Sequence, residues 1–82
     1  MRFQFNIKYR PEIEAGKLRL TTEYGERAEV LDWHSEFREE LPVVVKVYTK
    51  NGDSYFARFR EDGTSDCASY EYTGLLFVEE VD

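Results

Sequence analysis

Three glycines, Gly25, Gly52 and Gly63, each end a short polar loop between segments in which apolar and polar residues alternate. The loops are Glu23-Tyr24-Gly25, Lys50-Asn51-Gly52 and Glu61-Asp62-Gly63. Glycine in this place is typical of a three-residue hairpin loop, a type I turn followed by a residue with left-handed backbone. The spacing therefore predicts three such loops, with left-handed backbone at all three glycines.

The central hairpin allows a test of its register. If residues 50–52 form the loop, every cross-strand pair on one face of the hairpin is apolar. These pairs are Val47 with Tyr55, Val45 with Ala57, and Val43 with Phe59. A two-residue Asn-Gly turn would instead place Val45 opposite Arg58, so the sequence favours the three-residue loop.

The hairpin at Gly25 follows the same rule. Its predicted register places Leu20 opposite Ala28 and Leu18 opposite Val30. On the reverse face, Arg19 and Glu29 are then expected to form a charge pair. Two independent hairpins therefore agree on one type of turn.

Composition limits the chain to one small domain, residues 1–82, with enough apolar material for a compact core. Its formal net charge of -6 argues against nonspecific affinity for nucleic acid or an anionic membrane. With Cys67 as the only cysteine, an internal disulfide and cysteine-rich zinc sites are excluded. The first ten residues alternate rather than forming an apolar run, so we expect no signal peptide and a cytoplasmic protein.

Alternating segments predict the strands and the fold class. An amino-terminal strand is expected from Phe3 to Tyr9, and Pro11 ends it. Five further strands are expected at Lys17–Thr22, Glu26–Trp33, Pro42–Thr49, Asp53–Arg60 and Leu75–Glu79. Residues 64–72 form a short strand at most. Residues 35–41 are either a short helix capped by Ser35 or a loop. We therefore predict an all-β antiparallel meander of five to six strands that closes into a small barrel of the Src-homology-3 type.

Several of these motifs resemble a known family. The run Ile13-Glu14-Ala15-Gly16-Lys17, then residues 21–27 and Trp33, resembles the "EAG…TRDGR…W/TD" start of small uncharacterised proteins from gut Bacteroides-type bacteria and their phages and mobile elements. The later "PVVVKV…NGD" stretch and Leu75-Leu76-Phe77 are similar to that family's "PIVALV…DG…DLFL" pattern. Glu23-Tyr24-Gly25 departs from the usual Arg-Asp-Gly. The resemblance implies an accessory role in a phage or mobile element and supplies no catalytic residues.

The chain contains few residues with catalytic chemistry. His34 is its only histidine, and no further metal ligands or nucleophile stand at a suitable spacing. The neighbours of Cys67 include an acid and no base, which would raise the pKa of a thiol rather than activate it. No glycine belongs to a phosphate-binding motif. We therefore expect no catalysis, no metal and no cofactor.

One set of residues calls for a function. The register places Lys46, Tyr48, Phe56 and Arg58 together on the reverse face of the central hairpin, and Trp33 is expected beside them. Such a face is either a second core, covered by another segment, or a surface for a partner, because aromatic residues and arginine are common interface anchors.

We therefore predict binding to an unidentified protein or to a second copy of the chain. In such a dimer, Glu79 and Glu80 are expected to meet Arg58 or Lys46 of the other copy. Single-stranded nucleic acid is the alternative partner, because bases stack on aromatic rings beside cations.

Overall fold

The computed structural model describes residues 1–37, 39–66 and 74–81, which form six strands and one short α-helix. The elements are β1 (Arg2–Gln4), α1 (Arg10–Glu14), β2 (Leu18–Thr22), β3 (Arg27–Asp32), β4 (Val43–Tyr48), β5 (Ser54–Phe59) and β6 (Leu76–Glu80). The strands form one antiparallel sheet in the order β1-β6-β2-β3-β4-β5. Strands β2 to β6 lie within one residue of their predicted bounds, which confirms the all-β antiparallel prediction.

All three predicted hairpin loops are present. In each loop the main chain closes with two hydrogen bonds, one across the loop ends and one from the glycine back to the residue three positions earlier. The loop-end bonds join Thr22 to Glu26, Thr49 to Asp53 and Arg60 to Thr64, at 2.8, 2.9 and 2.8 Å. The φ angles of Gly25, Gly52 and Gly63 are 80°, 88° and 87°. The left-handed backbone that the sequence predicted is therefore confirmed at all three positions.

The two tested registers have different outcomes. Strands β4 and β5 pair as predicted along their whole length, with Val45 opposite Ala57. Strands β2 and β3 pair only beside their loop, where Leu20 lies opposite Ala28. The predicted contact between Leu18 and Val30 is not part of the β2–β3 ladder.

The predicted charge pair of Arg19 with Glu29 was also wrong. Arg19 Nε donates to Glu79 Oε1 at 2.7 Å. The reason is that β6 returns to lie beside β2, so it brings its own acid directly opposite Arg19. Glu29, on the strand at the other side of β2, instead accepts a hydrogen bond from the Tyr48 hydroxyl.

The predicted barrel is wrong, because the sheet is open and has β1 and β5 at its edges. Among the described residues, main-chain hydrogen bonds join the two ends of the sheet at one corner. There the amide of Leu76 donates to the Gly63 carbonyl at 2.9 Å, and the amide of Ile7 donates to the Glu61 carbonyl at 2.8 Å. The chain leaves β1 after three residues, so β1 is too short to close the sheet against β5.

The amino-terminal segment is a strand only as far as Gln4, so the predicted strand through Tyr9 was wrong. Asn6 accepts a hydrogen bond from the Lys8 amide at 3.0 Å and begins a 3-10 turn over Ile7–Tyr9. Helix α1 follows at once. Pro11 lies in its first turn, where a missing N–H costs no helical bond. Local capping by asparagine therefore replaces the alternating strand.

Of the two alternatives left open for residues 35–41, a short helix or a loop, the residues that the structure describes there form the loop. Residues 35–37 and 39–41 form bends and turns, and the Ser35 amide donates to the Pro42 carbonyl at 2.8 Å. In the segment predicted as at most a short strand, Thr64 bridges Leu75. Residues 67–73 and the possible thiol site at Cys67 lie outside the described residues.

One face of the sheet carries the core and is called the core face below. Its buried side chains come from the loop after β1 and from β2 to β6: they are Phe5, Leu18, Leu20, Ala28, Val43, Val45, Val47, Phe59, Leu76 and Val78. Tyr9 and Ile13, from the 3-10 turn and α1, pack against this cluster. These residues cover apolar surface that closure of a barrel would otherwise have covered. The opposite face, called the outer face, carries the candidate site.

Candidate functional site

Four of the five predicted partner-binding residues share the outer face. Lys46 and Tyr48 alternate along β4, and Phe56 and Arg58 alternate along β5. Cross-strand pairing brings Lys46 directly opposite Phe56. The Phe56 side chain is 69% exposed and Tyr48 is 39% exposed, so the alternative of a covered second core does not hold at these two rings.

Trp33 lies on the core face, contrary to the expectation that it would join the other four. Leu31 is an extra residue in β3, because Val30 lies opposite Val45 and Asp32 already lies opposite Val44. Such a bulge shifts the alternation by one residue and turns the following side chain to the other face. Trp33 consequently packs on the core, with its ring centroid 6.2 Å from that of Phe5.

Tyr48 is held on the outer face by a charged neighbour. Its hydroxyl donates to Glu29 Oε2 at 3.0 Å. This hydrogen bond, together with some loss of solvation and the negative charge of Glu29, raises the pKa of the Tyr48 hydroxyl, and the charge of Arg27 opposes the shift. The Lys46 ammonium lies 5.3 Å from the centre of the Tyr48 ring. The ring is therefore fixed between an acid and a cation.

Arg58 connects the sheet to the segment between β3 and β4. Its guanidinium donates to the Ser35 hydroxyl at 3.0 Å and lies 5.5 Å from the ring centre of Phe37. Phe37 is nevertheless 86% exposed, so this segment touches the Arg58 end of the face without covering Phe56. The sequence interpretation missed Phe37, because residues in a connecting segment have no alternation from which a side-chain direction follows.

The outer face differs in charge from the protein as a whole. The charged residues that the strand registers place on it are five bases and three acids: Arg2, Arg19, Arg27, Lys46, Arg58, Glu29, Asp32 and Glu79. This face has two more bases than acids, whereas the whole chain has a net charge of -6. Exposed aromatic rings thus lie in the basic region of an acidic protein.

The residues considered for catalysis are not brought together. His34 is exposed, and its main-chain N–H donates to Asp32 Oδ1 at 2.9 Å. Within the described ranges 1–37, 39–66 and 74–81, no group of three or more histidine, cysteine or acidic residues is placed to hold a metal ion. In the same part of the chain, no helix is long and apolar enough to cross a membrane.

Comparison of the chain with protein-family models, with curated proteins and with solved structures finds no match in any of the three. The protein is therefore classified by its architecture alone. The described residues form an open antiparallel sheet with a short helix on its core side. The other side of the sheet bears an exposed group of aromatic and basic side chains.

Proposed function

We propose that the chain is a small binding module, acting on another protein or on a second copy of itself, and that it performs no catalysis. The observation that carries the proposal is the 69% exposed ring of Phe56 in the middle of a regular strand, beside the exposed ring of Tyr48. Strand positions that face water usually carry polar side chains. Exposed aromatic rings next to arginine are the typical anchors of protein interfaces.

The charge of the outer face favours a partner with acidic residues around an apolar contact. Lys46 and Arg58 flank Phe56 on neighbouring positions of β4 and β5, so carboxylates at the rim of a partner would meet both cations. In the self-associating form of the proposal, Glu79 is the acid that shares the outer face with Lys46 and Arg58, whereas Glu80 lies opposite Leu18 of the core face. Glu79 is already bound to Arg19 within its own chain.

Single-stranded nucleic acid remains the second candidate, because the outer face has more bases than acids among exposed rings. The overall charge of -6 opposes it. Anisotropy of a labelled oligonucleotide at low salt separates the candidates, because phosphate contacts are strongest there. Binding that weakens steeply with added salt and is lost in Lys46→Gln/Arg58→Gln would favour nucleic acid.

The main test compares solution mass and fold in two variants. Light scattering measures the molar mass of the parent, of Tyr48→Glu/Phe56→Glu, and of the control Val81→Glu, which charges an exposed apolar residue after β6. Both variants are expected to fold, since their altered side chains are exposed. A dimeric parent, a monomeric double variant and a dimeric control would support self-association through the outer face.

If the parent is a monomer, the partner sought is a different protein. Proteins captured from the native host by the parent and by the control, and lost with the folded double variant, would support the proposal. Equal capture by all three proteins would contradict it. An accessory origin in a phage or mobile element stays part of the proposal, supported only by the sequence resemblance over residues 13–79.

A further inference from the structure

A cleft of about 540 Å³ opens between β2 and β3, toward the ends of the two strands that lie away from their hairpin loop. These two strands are joined by two residue pairs only, Leu20 with Ala28 and Thr21 with Arg27. On their other sides both are paired along most of their length, β2 to β6 and β3 to β4. The opening is therefore a local separation within an otherwise continuous sheet.

The unpaired edges of the cleft carry main-chain hydrogen-bonding groups. Lys17 accepts a hydrogen bond from Val81 on the β6 side, so the main-chain groups of the next residue, Leu18, point toward β3. The same alternation in β3 directs the main-chain groups of Val30 toward β2. The β2–β3 ladder ends before it reaches either residue, so their N–H and C=O groups face the cleft from opposite walls.

The side chains around the cleft are apolar within and charged at the rim. The inner wall contains Ile13, Leu18, Leu20, Val30 and Trp33. The charged rim contains Glu14, Arg19, Arg27 and Glu29, two acids and two bases. Since the rim has no net charge, its charge complements a neutral occupant. The main-chain groups at the walls require that the occupant both donate and accept hydrogen bonds.

We propose that this cleft binds a short extended segment of neutral, apolar peptide, which adds main-chain hydrogen bonds to Leu18 and Val30. An extended peptide offers donors and acceptors on both of its edges, which matches walls that each present a donor and an acceptor. Its alternate side chains would enter the apolar interior beside Ile13 and Trp33. Tyr48 of the outer face also lines this cleft, whereas Phe56 does not.

Amide hydrogen exchange tests the free state first. The Leu18 and Val30 amides are expected to exchange much faster than those of Leu20 and Ala28, which lie within the ladder. Equal protection of all four amides in the free protein would overturn the proposal, because it would show that the two strands pair continuously in solution.

Binding is then tested with the capped pentapeptide acetyl-Thr-Val-Leu-Val-Thr-amide, followed by the fluorescence of Trp33 and by exchange at Leu18 and Val30. The peptide is expected to change the fluorescence and slow both amides. An analogue with methylated valine nitrogens is expected to bind about tenfold more weakly, as loss of one or two hydrogen bonds implies. No protection at millimolar peptide, or equal binding of the analogue, would overturn the proposal.

Two variants locate the binding site. Val30→Phe fills the cleft and is expected to abolish peptide binding, whereas Phe56→Ser is expected to leave it unchanged. Retained binding in a folded Val30→Phe protein would contradict the assignment. If Val30→Phe does not fold, the methylated peptide decides the question with the unaltered chain. Failure of peptide binding leaves the tests of the outer face untouched, because they measure mass and capture.

Discussion

Gly63 lies against the main chain of Phe5 so closely that a β-carbon on Gly63 would stand 2.9 Å from the Phe5 carbonyl oxygen. It would also stand 3.0 Å from the carbonyl oxygen of Leu76. The third hairpin loop is thus pressed against the corner where the two ends of the sheet meet. At Gly52, by contrast, a β-carbon would meet nothing within 4 Å, although the φ angle is almost the same.

Alanine at the two glycines should therefore have unequal effects on stability. Gly52→Ala is expected to lower the free energy of unfolding by about 1 kcal/mol, the cost of left-handed backbone. Gly63→Ala adds overpacking against main-chain atoms, worth about 1–3 kcal/mol more. Each kcal/mol lowers the melting temperature by about 4–8 °C in a domain of this size. Equal melting temperatures for the two variants would contradict the close contact at Gly63.

The two neighbouring threonines of β2 provide a second matched pair. Thr21 is buried, and its hydroxyl has no hydrogen-bond partner among the residues that the structure describes. Thr22 Oγ1 accepts hydrogen bonds from the amides of Tyr24 and Glu26, each at 3.2 Å. We expect Thr21→Val to be neutral or stabilising by up to about 1 kcal/mol, and Thr22→Val to cost about 1–3 kcal/mol. Urea unfolding measures both changes, and a larger loss at Thr21 would be inconsistent with this hydrogen bonding.

Phenylalanines on opposite faces should differ sharply when truncated. Phe5 is 1% exposed within the core, whereas Phe56 is 69% exposed. Phe5→Ala is expected to lower the free energy of unfolding by about 3–5 kcal/mol, because it leaves a cavity. Phe56→Ala should change it by no more than about 0.5 kcal/mol, as is usual at a surface. A large loss for Phe56→Ala in dilute protein would mean that its ring is covered.

The pKa of Tyr48 should respond in opposite directions to its two charged neighbours. Glu29→Ala removes the hydrogen-bond acceptor that raises this pKa, so the pKa is expected to fall. Arg27→Gln removes a charge that lowers it, so the pKa is expected to rise. Titration of the labelled tyrosine ring by NMR measures both. A shift in the same direction in the two variants would contradict the geometry around the hydroxyl.

The same hydrogen bond has a defined pH dependence. Because the folded-state pKa of Tyr48 is raised, its contribution to stability is fully present below the unfolded-state value of about 10. It is lost as pH rises through the folded-state pKa. The part of the difference in free energy of unfolding between the parent and Glu29→Ala that comes from this hydrogen bond should therefore disappear at strongly alkaline pH.

The sequence by itself determined the hairpins. A polar loop ending in glycine fixes the turn, and a period of two then fixes which residues face each other, so the pairing of Val45 with Ala57 followed from local residues alone. The grouping of Tyr48 with Phe56 on one face followed in the same way. Residues close together in the sequence determine these features, so the sequence alone was enough to predict them.

Only the tertiary structure decided the features that depend on distant segments. The bulge at Leu31 turned Trp33 into the core, and nothing in the alternation of residues 26–33 indicates where the extra residue falls. The position of β6 beside β2 gave Arg19 its partner, Glu79, from 60 positions away. Such pairings depend on which arrangement buries the shared apolar face best, a sum over the whole chain that no local pattern contains.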